Sequence, residues 1–127
     1  MKNSIECDQF VARPPAAVWR VLTEPELHAK WWAAGDIRPV VGHRFTLDMG
    51  SWGEQQCEIL EVEPEKLLRY TFAEGVLDTT ITWRLEPEGD GTRLFLLHDG
   101  FAPGSTALEG MGRGWPGLLR RVEVAAA

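Results

Sequence analysis

"DTTITWRLEPEGDGTRLFLLHDG", residues 78–100, decides the fold of this chain. Ile81, Trp83 and Leu85 alternate with Thr80, Thr82 and Arg84, the period of two that sends apolar side chains to one face of a strand. Leu94, Leu96 and His98 repeat the pattern beyond "PEGDG", a turn rich in Gly and Asp. Two such runs joined by such a turn read as an antiparallel hairpin with one apolar face. That face needs a cover, which must come from elsewhere in the chain.

Working upstream, the period of two persists. "LLRYTFA" (67–73) reads as a strand that carries Tyr70. In "QQCEILEVE" (55–63) the alternation slips between Ile59 and Leu60, which predicts a bulge. "HRFTLDM" (43–49) sets Phe45, Leu47 and Met49 against Arg44, Thr46 and Asp48. With "SIECDQFVA" (4–12) as a first strand, the short connections imply an antiparallel meander.

Between the first strand and the rest the period changes. "PAAVWRVL" (15–22) places Ala17, Val18, Val21 and Leu22 on one helical face, with Trp19 off the stripe. Thr23 and Glu26 form a capping-box pattern, so a second short helix is expected from about residue 24, ended by "AAGD". His28 reads there as a solvated helix residue. Trp31 and Trp32 are adjacent and point about 100° apart, so both cannot bury against one layer. One is expected to anchor the helix, the other to face the mouth of a cavity.

Downstream of the hairpin, "APGSTALEGMGRGWPGLLRRVEVAAA" (102–127) returns to a helical period through Leu108, Met111, Trp115, Leu118 or Leu119, and Val122. Gly110, Gly112, Gly114 and Pro116 interrupt it. Each glycine costs ~1 kcal/mol and an interior proline ~3 kcal/mol, so a kink or restart near Pro116 and a firm helix over about 116–125 are predicted. This stripe is the one long cover for the sheet. The fold class is therefore α+β: a curved antiparallel sheet of about six or seven strands wrapped on a C-terminal helix, with two short helices after the first strand. A sheet curved around one helix leaves a gap, which becomes a pocket unless large side chains fill it.

Composition limits the function. At 127 residues the chain reads as a single domain, 1–127. A formal net charge of −6, from 13 Lys+Arg against 19 Asp+Glu, argues against nucleic acid and against an anionic membrane surface. No apolar run approaches the ~18 residues of a membrane span, so no membrane insertion is expected. "MKNSIECDQFVARPP" lacks a signal-peptide core, which makes a cytoplasmic location the expectation. Cys7 and Cys57 give neither a disulfide framework nor a zinc pattern and read as buried free thiols. No metal, cofactor, Ser-His-Asp or phosphate-loop pattern emerges; "GMGRG" lacks the Lys-Ser/Thr of such a loop.

Six tryptophans are a heavy aromatic load for this length. Small-molecule sites are concave, mostly apolar and aromatic, so Trp32, Phe45, Met49, Trp52, Tyr70, Trp83, His98, Met111 and Trp115 are the candidate ligand-binding residues. His98, on the inward face of its strand, is the candidate catalytic base. His43 and Asp99 are further acid–base candidates, with Asp78 and Arg113 behind them.

The segments "PPAAVWRVLTEPELHAKWW" (14–32), "ILEVEPEKLLRYTF" (59–72), "ITWRLEPEGDGTRLFLLHDGF" (81–101) and "GWPGLLRRVE" (114–123) carry a family resemblance over nearly the whole chain. The layout resembles the helix-grip fold of the START-like (SRPBCC) superfamily, which includes the birch-pollen allergen type, polyketide cyclases and lipid-transfer domains. Within it the chain is most similar to a bacterial group like the C-terminal domain of the activator of heat-shock-protein ATPase. The resemblance implies a small hydrophobic or amphipathic ligand held between sheet and C-terminal helix. It also implies two alternatives: a polyketide cyclase-like or hydrolase-like enzyme, and a module that binds a chaperone partner. An exposed sheet edge or a short C-terminal helix would favour a homodimer.

Overall fold

In a computed structural model, the decisive hairpin is formed by two long strands, β5 (Thr79–Glu88) and β6 (Gly91–Asp99). The structure describes residues 3–127; Met1 and Lys2, which the single-domain reading takes in, lie outside the described residues. The turn is tighter than "PEGDG" suggests. Glu88 pairs with Gly91, leaving Gly89 and Asp90 as the loop, and Gly89 takes φ 58°, which glycine adopts without strain.

The remaining strands are β1 (Ser4–Val11), β2 (Arg44–Asp48), β3 (Glu54–Glu63) and β4 (Leu67–Phe72). All neighbours are antiparallel, in the order β1-β6-β5-β4-β3-β2, a meander with the first strand returning beside the last. The predicted bulge is present: the β3–β4 register shifts between Ile59 and Glu61. The edge at β2 is partly covered, because Gly35 bridges to Leu47. A side chain at Gly35 would meet the Thr46 carbonyl oxygen at 2.2 Å, so only glycine lets the two backbones close there.

Two short helices, α1 (Pro15–Thr23) and α2 (Pro25–Trp31), follow β1. The capping box is a correction. Thr23 is the last residue of α1, and its hydroxyl donates back to the Trp19 carbonyl at 2.8 Å. It is therefore unavailable as a cap, and Glu24 takes the N-cap position in extended conformation. His28 is a second correction: it is buried rather than solvated, and its Nδ1–H donates to the Ala33 carbonyl at 2.7 Å. Ala33 lies past the helix end, so the chain folds back over His28 and shuts out water.

The C-terminal helix, α3 (Thr106–Ala125), is continuous through Pro116, so the helix does not restart there. Trp115, Leu119, Val122 and Ala125 are buried on one face on either side of the proline. Burying such side chains stabilises by about 1.5–3 kcal/mol each, which outweighs the proline's cost. Pro116 itself is exposed, on the face turned away from these buried side chains.

The core lies between the inward face of the sheet and α3. Ile81, Trp83 and Leu85 of β5 and Leu94, Leu96 and His98 of β6 are all buried, as the alternation requires. Cys57 is a buried thiol, pushed up to about 12 by that burial; Cys7 is only half-buried.

Candidate functional site

Where the gap between sheet and helix was expected to be hollow, it is filled. Trp83 of β5 and Trp115 of α3 meet edge to face with ring centroids 5.5 Å apart. Trp31 stands edge-on to Trp83 at 5.7 Å, and Trp32 edge-on to Trp115 at 4.9 Å. Such contacts add about 0.5–1.5 kcal/mol each to the apolar burial. Trp31, Trp83 and Trp115 are each no more than 1% exposed.

Every buried indole N–H has a partner. Trp31 Nε1–H donates to the Val21 carbonyl at 3.0 Å, which pins α2 to α1. Trp83 Nε1–H donates to the Tyr70 hydroxyl at 3.0 Å, and burial pushes the Tyr70 phenol above its ordinary range. Trp115 Nε1–H donates to His98 Nδ1 at 3.0 Å. That bond settles the histidine's protonation. Nδ1 must accept, so the neutral ring carries its proton on Nε2, which donates to the Thr79 hydroxyl at 2.8 Å. Thr79 in turn donates to the Phe72 carbonyl at 3.2 Å.

His98 is thus the middle of a closed chain of donors and acceptors. It is wholly buried, and burial lowers its pKa to about 3. A general base needs a free lone pair within reach of substrate, and His98 has neither. In this structure the candidate catalytic base is a hydrogen-bonded core residue. His43 lies at the surface, its Nε2–H donating to the Asp36 carbonyl at 2.6 Å.

One open space lies at an end of the sandwich, beside the start of α3. A groove of about 510 Å³ runs between the β2–β3 turn, the β4–β5 loop and the first turns of α3. Met49, Phe72, Val76, Leu77, Ala107 and Met111 make its apolar wall, with Trp52 at the rim. Gln55, Ser105 and Thr106 are its polar side chains besides the Trp52 indole N–H, and among the described residues no ionisable one lines it.

Local structure explains these positions. Between β2 and β3 the chain makes a 3-10 turn, Gly50–Trp52, which opens on Gly50 at φ 64° and is followed by Gly53 at φ 80°. This turn holds the Trp52 indole out, 81% exposed. The β4–β5 loop is knit tightly: the Ala73 carbonyl accepts from Val76, Leu77 and Asp78, and Asp78 Oδ1 accepts from Gly75 N–H at 2.7 Å. Val76 is consequently held out at 69% exposure in a well-bonded loop.

Of the nine candidate ligand-binding residues, the groove brings together Met49, Trp52 and Met111. Phe45, Tyr70, Trp83, His98 and Trp115 lie in the core. Trp32, half-buried, backs the groove indirectly, its ring 5.6 Å from that of Phe72. Sequence reading missed Gln55, Val76, Leu77 and the start of α3. Two apolar residues inside the turn-like "AEGVLD" (73–78) were the available signal, since a plain turn has no use for them. Among the described residues no group of His, Cys, Asp and Glu is arranged to hold a metal ion, and no helix is long and apolar enough to cross a membrane.

Residues 12–127 match the model of the family described as activator of Hsp90 ATPase homolog 1-like protein. Among solved structures, protein MLL2253 from Mesorhizobium loti is 35% identical, with a TM-score of 0.88 over 96% of this chain and 95% of that one. CalU16 from Micromonospora echinospora is 30% identical, with a TM-score of 0.80 over 98% of this chain and 76% of that one. The solution structure of the Aha1 dimer from Colwellia psychrerythraea shares the fold at 18% identity, with a TM-score of 0.84 over 97% of this chain and 95% of that one. A comparison with curated proteins returned no match.

Proposed function

The chain belongs to the activator of Hsp90 ATPase homolog 1-like family, with the helix-grip fold of the START-like superfamily, and on that premise we propose that it binds a small, neutral, hydrophobic or amphipathic molecule in the groove beside α3. One observation carries the reading: a groove of about 510 Å³ walled by apolar side chains, with no ionisable residue in its lining. That volume falls within the ~300–1,000 Å³ of small-molecule sites. A charged ligand would find no counter-charge there.

The same lining weighs against acid–base turnover. A polyketide cyclase-like or hydrolase-like enzyme would have to work here by positioning alone, since His98 is outside the groove and fully bonded. The chaperone-partner reading rests on the family's description and the acidic balance of the chain, and the groove adds nothing to it. A homodimer is compatible with the fold, which the Colwellia protein adopts as a dimer; sedimentation across a range of concentrations decides it for this chain.

The binding test uses Nile red, a neutral apolar dye without a hydrogen-bond donor. Saturable fluorescence enhancement is expected with the wild-type protein. Gly110→Leu is expected to weaken it at least tenfold while leaving the urea midpoint no lower, because Gly110 lines the groove and a Cβ there meets no atom within 4 Å. Equal dye affinity in the two proteins would place the binding site elsewhere.

A further inference from the structure

Gln55 stands where the strand pattern calls for an apolar residue. It shares the inward face of β3 with Cys57 and Ile59, pairs with Leu47 on β2, and is only 8% exposed. A buried primary amide carries two donor hydrogens and an acceptor oxygen, and each one left unmet costs stability. One donor is used: Nε2–H reaches the Trp52 carbonyl at 2.7 Å and holds the turn at the groove rim. That bond also fixes which end of the amide is nitrogen, because a carbonyl can only accept.

The acceptor, Oε1, has no hydrogen-bond partner among the described residues. It is not sealed inside the protein either. Among the described residues the buried side-chain polar atoms without a partner are Arg13 Nε and His28 Nε2, so Gln55 Oε1 is reached from outside, and the open space that Gln55 lines is the groove. We propose that Gln55 is the specificity-determining residue of the groove, its Oε1 accepting a hydrogen bond from a hydroxyl or N–H on an otherwise apolar, neutral ligand. The inference rests on the groove being the binding site.

Discrimination of this kind follows from the asymmetry of buried hydrogen bonds. A ligand with a donor satisfies Oε1; one with a methyl ether in its place covers the oxygen and strands it without water. The preferred ligand class is therefore a phenol, alcohol or amide N–H on a ring system, rather than a pure hydrocarbon or an acid.

The test is displacement of Nile red by 2-naphthol and by 2-methoxynaphthalene. Wild-type protein is expected to favour 2-naphthol about three- to tenfold, although the ether is the more hydrophobic of the two. Gln55→Met is expected to bring the ratio to about one, both naphthalenes being compared within the same protein so that any change in its Nile red affinity cancels. Gln55→Glu, which gives up the bond to Trp52 but keeps an acceptor, is expected to retain the preference; its loss there would trace the effect to the turn and overturn the assignment. Equal displacement by both naphthalenes in wild-type protein, or a preference that survives in Gln55→Met, also overturns it and leaves the groove standing. Failure of Nile red itself to bind removes the groove and this inference together.

Discussion

Trp115 carries two duties in one side chain: its ring fills the space between sheet and helix, and its N–H fixes the tautomer of His98. Trp115→Phe keeps most of the first and removes the second, leaving His98 Nδ1 buried without a donor. The orphaned acceptor is expected to cost about 1–3 kcal/mol in urea unfolding. A double-mutant cycle with His98→Phe isolates the bond, because its coupling energy vanishes if the two residues act independently. The inward face of His98 was legible from its register with Leu94 and Leu96. Its partners were not, since Thr79 lies 19 residues away on β5 and Trp115 lies 17 away on α3. Local patterning says which way a side chain points and nothing about what awaits it.

α3 shows how packing overrides propensity within one element. Its stripe was legible as a helix, yet three glycines and a proline argued for a kink or restart, and the helix runs on without restarting. The costs remain and are recoverable where the site has room. A Cβ at Gly114 meets nothing within 4 Å, so Gly114→Ala is expected to raise stability by about 0.5–1 kcal/mol, read as a higher urea midpoint at unchanged slope. No gain would mean that the backbone at Gly114 is not helical in solution. α2 gives the opposite lesson. A capping motif was present in Thr23 and Glu26, but Thr23 was already spent on the Trp19 carbonyl, and helix α1 ran one residue further than the motif allows. Caps compete locally for the same hydroxyl, and sequence does not say which backbone group wins.

Across the whole molecule, two histidines sit in the aromatic interior, His28 among Trp31 and Trp32 and His98 against Phe72, Phe101 and Trp115. Burial lowers their pKa values to about 4 and about 3. In the unfolded chain they titrate near 6.5, so between that pH and about 4 the unfolded state binds protons that the folded state refuses. Stability is expected to be fully present above pH 6.5 and to fall with decreasing pH through that window. The slope is up to about 1.4 kcal/mol per unit for each histidine. Urea midpoints at pH 7.5 and pH 5 measure this, and His28→Gln is expected to reduce the difference; a flat profile would mean that the two rings are not held neutral.

The periods of two and 3.6 in this sequence were sufficient for the order of elements, the antiparallel meander, the β3 bulge and the inward faces, because each depends on neighbours within a strand, a turn or a helix. Where the cavity lies was decided by the tertiary structure alone. The four inner tryptophans arrive from α2, the residue after it, β5 and α3, and only their joint volume determines that they close the middle of the sandwich and leave the groove at its end. Side-chain volume adds up in three dimensions between elements far apart in the chain, and no local pattern records the sum.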